Sequence, residues 1–229
     1  HWQISTWSWI SSRNWINHGT SDNSFNYMEQ AAAPARYTVE EYLALEETSE
    51  VRHEFYHGEI FAMAGGSLAH NRIIRNGSAV IQQLLGHSAC EVFLDGALLK
   101  IDNSCFVYPD LLVSCHPDDL EADRILQHPS VVVEVLSPAT TAYDRTTRLR
   151  FYQQLPSVQH YVLVQQEYCW AECLTRQPGQ ENQWTLQVYD ALSDELHLSA
   201  LQLRIPLTEL YARVKLGPPP QAPPPLQLP

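Results

Sequence analysis

The spacing of apolar residues divides the chain into segments with helical or strand periodicity. Between Ser67 and Leu85 apolar side chains recur at helical spacing, and Gly86 follows as a helix-ending residue. The segment from Val131 to Leu136 is instead apolar at almost every position, which is typical of a strand buried on both faces. These two segments predict a long amphipathic helix and a central strand.

Weaker patterns fill in the remaining elements. Thr38 and Glu41 form a capping-box pattern that predicts a helix running to about Glu47, and alternation around His57-Gly58 predicts a hairpin. Further strands are predicted at Glu91–Leu94, Ala97–Ile101, Phe106–Cys115 and His160–Gln165, a second hairpin at Tyr168–Leu174 with Trp184–Tyr189, and helices at Asp144–Gln154 and Leu207–Val214. This order of elements predicts an α/β domain with one central mixed sheet.

The two ends of the chain differ from its middle. Residues 1–33 combine four tryptophans with polar residues and show no helical or strand period, so we expect a non-native or disordered extension with the natural start at Met28. Residues 217–229 contain seven prolines and predict an extended tail. The folded domain is therefore expected at residues 34–216, which is enough for one core.

Composition restricts the class of protein. The formal charge of −12 argues against binding nucleic acid or an anionic membrane by bulk electrostatics, although a metal ion with a local basic patch escapes this argument. No run of 18 apolar residues occurs, so no membrane association is expected. The five cysteines are scattered, which indicates free thiols in a reducing compartment and a cytoplasmic protein.

Two carboxylates stand in apolar strand segments. Glu134 interrupts the run of valines described above, and Asp110 precedes Leu111 at the start of another predicted strand. Burying an ionised carboxylate is costly unless it is paired or binds a metal. If the two strands are neighbours, both carboxylates meet at one edge of the sheet and form a hard-oxygen site of the kind that Mg²⁺ prefers.

The order of these motifs resembles a known nuclease family. Tyr108-Pro109-Asp110, followed by Val133-Glu134-Val135-Leu136-Ser137-Pro138, resembles the PD-(D/E)xK nuclease superfamily and, more narrowly, its Uma-type restriction endonuclease family. The resemblance runs from about Tyr37 to about Val214. It implies a restriction-endonuclease-like core with flanking helices and an extra β-hairpin, and metal-dependent hydrolysis of DNA phosphodiester bonds.

The resemblance also implies roles for particular residues. Asp110 and Glu134 would ligate Mg²⁺ or Mn²⁺, with the Val135 carbonyl as a third ligand. Glu54 would add a further carboxylate near the metal, and His70 would orient water or contact phosphate. By analogy with such nucleases, a homodimer is expected.

One position departs from the superfamily pattern. Leu136 stands where a lysine is expected, and the lysine that this family carries on the following helix corresponds to Arg148, four residues after Asp144. Arginine stabilises a phosphate but is a poor proton shuttle. Lys100 is a possible substitute if its strand neighbours that of Asp110, because adjacent antiparallel strands bring residues within about 5 Å.

Alternatives to a DNA endonuclease remain open. The missing lysine and the acidic balance favour a degenerate nuclease-fold protein that binds nucleic acid or a protein partner without cutting. A hydrolase of another phosphoester is a third reading. A zinc site is not predicted, because Cys169 and Cys173 are poorly spaced on a strand and His116, His128 and the other histidines match no ligand motif.

Overall fold

The computed structural model describes residues 36–63, 65–94, 96–138 and 140–219, with the backbone alone at Glu181 and Asn182. The predictions for residues 1–33, and for the tail beyond residue 219, lie outside this range. The described residues form two sheets, a separate two-stranded ribbon and flanking helices. The predicted α/β class is confirmed, whereas the prediction of a single central sheet is wrong. No helix within the described ranges is long and apolar enough to span a bilayer.

The elements follow the predicted order closely. The helices are α1 (Val39–Thr48), α2 (Leu68–Leu85), α3 (Pro117–Leu120), α4 (Thr141–Tyr143), α5 (Leu149–Gln154) and α6 (Leu207–Leu210), with a π-helical turn at Asp144–Arg148 and a 3₁₀ turn at Ser199–Leu201. The strands are β1 (His53–Tyr56), β2 (Glu59–Ala62), β3 (Glu91–Leu94), β4 (Leu98–Asp102), β5 (Cys105–Val107), β6 (Leu111–Ser114), β7 (Ile125–Leu126), β8 (Pro129–Leu136), β9 (His160–Gln165), β10 (Ala171–Gln177), β11 (Gln180–Tyr189), β12 (Glu195–Leu198) and β13 (Leu203–Pro206).

The sheets divide the strands between two layers. The first sheet has the order β2-β1-β5-β4-β7 and the second has the order β11-β10-β9-β8-β6-β3. Neighbouring strands are antiparallel except for the pairs β4·β7 and β8·β9. The ribbon pairs β12 with β13, a hairpin that the sequence analysis did not predict.

The second sheet is covered on both faces, and β8 lies in its interior. Val131, Val133 and Val135 pack into a core cluster with α2, α6 and the ribbon. Val132 and Leu136 point the other way, into a cluster with β4, β5 and α5. Because side chains alternate along a strand, Glu134 shares the α5 face with Val132. The buried strand therefore delivers one carboxylate into the layer between the two sheets.

The predicted strand Phe106–Cys115 is two strands in the structure. β5 belongs to the first sheet and β6 to the second, and Tyr108-Pro109-Asp110 connects them. Proline has no N–H to donate to a ladder, so Pro109 is a natural place for the chain to leave one sheet and enter the other. This crossing places Asp110 at the boundary between the sheets.

The cysteine prediction is wrong for two of the five residues. Cys90 and Cys115 form a disulfide that links the start of β3 to the end of β6. Cys105, Cys169 and Cys173 are free. Sequence separation of 25 residues hid the pairing, because only the antiparallel register of β3 and β6 brings the two together. The disulfide removes the observation on which the reducing compartment was predicted.

Candidate active site

Asp110 and Glu134 meet where β6 and β8 run side by side. The register pairs Leu111 with Val133, so the residues that flank this pair also lie opposite each other. The Val135 N–H donates to Oδ2 of Asp110 at 2.7 Å, and the Asp110 N–H lies 3.4 Å from Oε2 of Glu134. The strands are neighbours, as the sequence argument required, and both carboxylates lie at one edge of the sheet.

The Val135 carbonyl belongs to the same edge. In an extended strand the N–H and C=O groups of one residue point to the same side. Since the Val135 N–H is directed at Asp110, its carbonyl also faces the Asp110 strand. The backbone thus offers a third oxygen beside the two carboxylates.

Arg148 lies among three carboxylates. Its guanidinium forms ion pairs with Glu54 (Nη2–Oε1 2.5 Å), with Glu134, and with Asp144 (Nε–Oδ1 3.3 Å). The four side chains are between 5% and 11% exposed, so the cluster is almost shut off from water. Glu54 also accepts the N–H of Tyr108, which ties the first sheet to the loop before Asp110.

Tyr152 completes the surroundings of Glu134. Its hydroxyl donates to Oε1 of Glu134 at 2.5 Å and accepts from Nη1 of Arg148 at 3.0 Å. Oε1 of Glu134 therefore has two donors, Tyr152 and Arg148, whereas Oε2 has only the long contact from the Asp110 N–H among the described contacts. The less occupied oxygen faces Asp110.

Burial controls the protonation of the acids. Desolvation raises the pKa of Glu134 well above its usual range, against the opposing charge of Arg148. Burial likewise raises the pKa of Asp144 to about 6, and Arg148 again opposes the shift. The pKa of Arg148 itself is raised, because the attraction of Glu134 and Glu54 outweighs its desolvation. A further cation near these acids would favour their ionised forms.

His70 reaches the site from the first turn of α2. Ser67 caps this helix through the His70 N–H, and Nε2 of His70 lies 3.1 Å from Oδ2 of Asp110. Gly66 leaves room for the ring, since a Cβ at that position would lie 2.6 Å from Nδ1 of His70. The imidazole thereby contacts the same oxygen that the Val135 N–H holds.

Lys100 does not reach the site, and the prediction that its strand neighbours Asp110 is wrong. β4 pairs with β5 in the first sheet, and the register places Lys100 opposite Phe106. Phe106 is opposite Phe55, whose ring packs on Tyr42 of α1. Glu54 precedes Phe55 and therefore points to the other face. Lys100 thus lies on the α1 face of the sheet, away from Arg148.

Comparison with known proteins identifies the family of this chain. The family model described as "Putative restriction endonuclease", Uma2, matches residues 39–208. The chain belongs to the Uma2 family. This family description supports a nuclease-like role for the chain, as the resemblance predicted.

Relatives and a solved structure extend the comparison. The Uma2 chain is 34% identical over 177 residues to the uncharacterized protein slr1290 of Synechocystis, covering 77% of this chain and 92% of the relative. It is 29% identical to the uncharacterized protein sll1609, covering 72% and 94%. A crystal structure of a putative nuclease belonging to DUF820 from Anabaena variabilis superposes with a TM-score of 0.62 at 18% identity, covering 76% of this chain and 97% of that one. This last likeness shows the fold.

Two residues of this cluster were not predicted from the sequence. Asp144 served only as a reference for spacing, and Tyr152 had no predicted role. Asp144, Arg148 and Tyr152 follow one another at intervals of four residues, which is the spacing of one helical face. That interval was the available signal. The π-helical turn at Asp144–Arg148, a feature frequent at functional sites, had no visible signal.

Proposed function

We propose that the protein is a metal-dependent endonuclease that hydrolyses phosphodiester bonds of DNA. The observation that carries the proposal is the convergence of Asp110 and Glu134 at the edge of two buried, neighbouring strands. Family membership and the nuclease-like neighbour support the same reading. The negative net charge of the chain does not oppose the proposal, because a bound metal ion would neutralise phosphate charge at the site itself.

The donor atoms fit a hard divalent cation. The site offers carboxylate oxygens of Asp110 and Glu134 and the carbonyl of Val135, which suit Mg²⁺ or Mn²⁺ better than softer metals. With Glu54 and Asp144, the cluster contains more carboxylates than the single guanidinium of Arg148 can neutralise. When bound, such an ion lowers the pKa of a water ligand and neutralises charge that develops on the phosphate.

The remaining residues hold these oxygens in place. Tyr152 and Arg148 fix one oxygen of Glu134 and leave the other directed at Asp110. His70 and the Val135 N–H fix Oδ2 of Asp110. Arg148 compensates the charge of Glu54 and Glu134, and a DNA phosphate could take its guanidinium only by displacing one of these carboxylates.

The test is cleavage of supercoiled plasmid by the purified full chain with Mg²⁺ or Mn²⁺. We expect metal-dependent nicking that disappears in the double variant Asp110→Asn, Glu134→Gln. The matched control is Asp190→Asn, Glu195→Gln, because both of these carboxylates are exposed and lie outside the cluster. Equal cleavage by the site variant and the control would refute the proposal.

A second function has a specific observation in its favour. Arg148 stands where the family has a lysine, and it is committed to Glu54 and Glu134. A nuclease-fold protein that binds nucleic acid or a protein partner without cutting fits this arrangement. Wild-type protein that binds a labelled duplex with Mn²⁺, yet leaves plasmid intact over hours, would favour it. Cleavage gained by Arg148→Lys would then identify the residue that blocks turnover.

The homodimer stays a prediction by analogy. Sedimentation velocity on the full chain, with and without a DNA duplex, measures it directly. A single species of 26.1 kDa under both conditions would contradict it.

A further inference from the structure

A group of metal-ligating side chains lies outside the candidate active site. His116 and Asp118 belong to the segment that starts α3, and His128 precedes β8. One ligand atom from each residue lies within 4.8 Å of the others. The two imidazole rings stack with centroids 4.1 Å apart and planes inclined by 23°. The sequence separation of these residues hides the group, which exists only because the loop folds back.

Asp119 supplies support behind His128. It is 2% exposed and accepts from the Ser114 hydroxyl at 2.7 Å, the Gln127 N–H at 2.8 Å and the His128 N–H at 2.9 Å. These bonds fix the carboxylate beside the ring, with Oδ1 3.5 Å from Nδ1 of His128. Histidine ligands of metals commonly present their second ring nitrogen to a carboxylate in this way.

One ring nitrogen of His128 lacks a hydrogen bond from the described residues although it lies beside Asp119. Nδ1 of His128 is shut off from solvent and has no hydrogen-bond partner within the described part of the chain. Closing the 3.5 Å gap to Asp119 would satisfy it and direct the other nitrogen, Nε2, outwards. A metal bound at Nε2 would favour that tautomer, because the proton then belongs on Nδ1.

The gap between His116 and Asp118 has a suitable width. Nδ1 of His116 lies 3.9 Å from Oδ2 of Asp118. Nδ1 of His116 also accepts the Asp118 N–H at 3.3 Å, so a metal at this nitrogen would take the place of that helix cap. Zinc binds imidazole nitrogen and carboxylate oxygen at about 2.0–2.2 Å each, so one ion joins the two atoms after a closure of roughly half an ångström. The side chains are 44% and 75% exposed and are therefore free to make this adjustment.

We propose that His116, Asp118 and His128 form a second metal site, for a dication of the zinc, cobalt and nickel class. Two imidazoles with one carboxylate select such ions, whereas the all-oxygen set at Asp110 and Glu134 selects Mg²⁺ or Mn²⁺. The proposal departs from the expectation, drawn from the sequence, that these histidines match no ligand motif and form no zinc site. Its metal would fasten the α3 loop, whose first end is already anchored by the Cys90–Cys115 disulfide.

The test is calorimetric titration of the metal-free full chain with Zn²⁺, followed by the visible absorption of the Co²⁺ form. We expect His116→Ala and His128→Ala each to weaken Zn²⁺ binding at this site by at least about tenfold. The visible Co²⁺ bands should disappear in the double variant. Asp118→Asn, which keeps the shape of the side chain, should weaken binding by a smaller factor.

Two controls separate this site from others. His57→Asn removes an exposed histidine from the β1–β2 turn, where asparagine tolerates the positive φ of 49°, and should leave Zn²⁺ affinity unchanged. Asp110→Asn, Glu134→Gln should keep the Co²⁺ bands, so failure of the nuclease proposal is measured independently. Zn²⁺ binding by the His116→Ala, His128→Ala variant with wild-type stoichiometry and affinity would overturn the site. The same conclusion follows if wild-type protein binds no Zn²⁺ at 100 μM, on the order of the weakest functional protein sites.

Discussion

Arg145 and Arg148 lie three residues apart in one helical run, yet they enter opposite kinds of environment. Arg145 pairs with one acid, Glu172, through Nη2 and Oε1 at 2.5 Å, and Glu172 also accepts from Nε1 of Trp170 at 2.8 Å. Arg148 instead faces Glu54, Glu134 and Asp144 together. One pair is balanced in charge, whereas the other cluster carries an excess of acid.

This difference separates a structural ion pair from a candidate site. A balanced pair leaves no uncompensated buried charge, so it needs no further partner. An excess of buried acids costs folding free energy, and proteins keep such arrangements where charge is needed for chemistry. The raised pKa values of Glu134 and Asp144 are the signature of that cost. Removing individual groups tests whether the two arginines really differ in this way.

The largest expected effect follows from Arg148→Met. The change leaves three nearly buried carboxylates without their cation, and breaking a buried ion pair in this way costs about 3–5 kcal/mol. We expect urea unfolding at pH 7.5 in EDTA to show a loss of this size in the free energy of unfolding. Lowering the pH should return part of it, because protonation removes the uncompensated charge.

Arg145→Met is the matched control for this prediction. It removes the same length of side chain from the same helical run, but it leaves only Glu172 without its cation. Glu172 also keeps the hydrogen bond from Trp170. We expect a loss of about 1–2 kcal/mol, since Arg145 is 21% exposed and water screens part of the interaction. Equal losses in the two variants would contradict the distinction between the pairs.

Local patterns predicted most of the elements but not their assembly. The capping box of Thr38 and Glu41 is present, and α2 begins and ends within one residue of its predicted bounds. The ribbon of β12 and β13 was missed although Leu196, Leu198, Leu203 and Ile205 alternate as in strands. Division into two sheets was not predictable, because it depends on non-local pairing after Pro109.

The residues of the candidate site also divide into those that a local sequence pattern predicted and those that it did not. Asp110 and Glu134 were predictable because a carboxylate within an apolar strand is conspicuous in the sequence. Glu54, His70 and Arg148 were found only through the family resemblance, and the structure brings all three to the pair. Lys100 failed because its strand β4 pairs with β5, whereas Asp110 follows β5 and leads into β6 of the other sheet. Contacts between sheets leave no periodic signal.

The second prediction concerns pH and the acid excess. The pKa of Asp144 rises to about 6 from an ordinary value near 3.8, so the folded protein binds this proton more tightly than the unfolded chain does. Protonated Asp144 therefore stabilises the folded state below about pH 4. This stabilisation, about 3 kcal/mol, is lost as the pH rises through 6. Asp144→Asn should therefore gain stability relative to wild type by about this amount between pH 4 and pH 7.

The unfolding free energies of wild type and Asp144→Asn must be subtracted at each pH, because the pKa shift of His160 changes stability with pH in the opposite direction. Burial lowers the pKa of His160 from 6.5 to about 4, so its contribution grows as pH rises from 4 to 6.5. Both proteins retain His160, and its contribution cancels in the difference of the urea-derived free energies. A difference that stays constant from pH 4 to pH 7 would show that Asp144 is not perturbed.

The third prediction removes a single donor from the acid cluster. Tyr152→Phe deletes the hydroxyl that donates to Glu134, and a hydrogen bond to a charged group is worth about 1.5–3 kcal/mol. Tyr161→Phe is the control, since its buried hydroxyl donates to the backbone carbonyl of Asp144 and should cost about 1 kcal/mol. Urea unfolding in EDTA measures both, and a reversed order of the two losses would contradict the role of the Tyr152 hydroxyl between Glu134 and Arg148.

The smallest effect is expected from replacing each arginine with lysine. Arg145→Lys keeps one positive charge for one partly exposed pair, so we expect a change below about 1 kcal/mol and unaltered plasmid cleavage. Arg148→Lys offers a single ammonium to Glu54, Glu134 and Asp144, which a planar guanidinium contacts through different nitrogens. It should cost more stability than Arg145→Lys, while supplying the proton-exchanging group that the family pattern carries at this position. If both lysine variants behave alike in urea and in cleavage, geometry at Arg148 has no special role, and the charge excess alone defines the site.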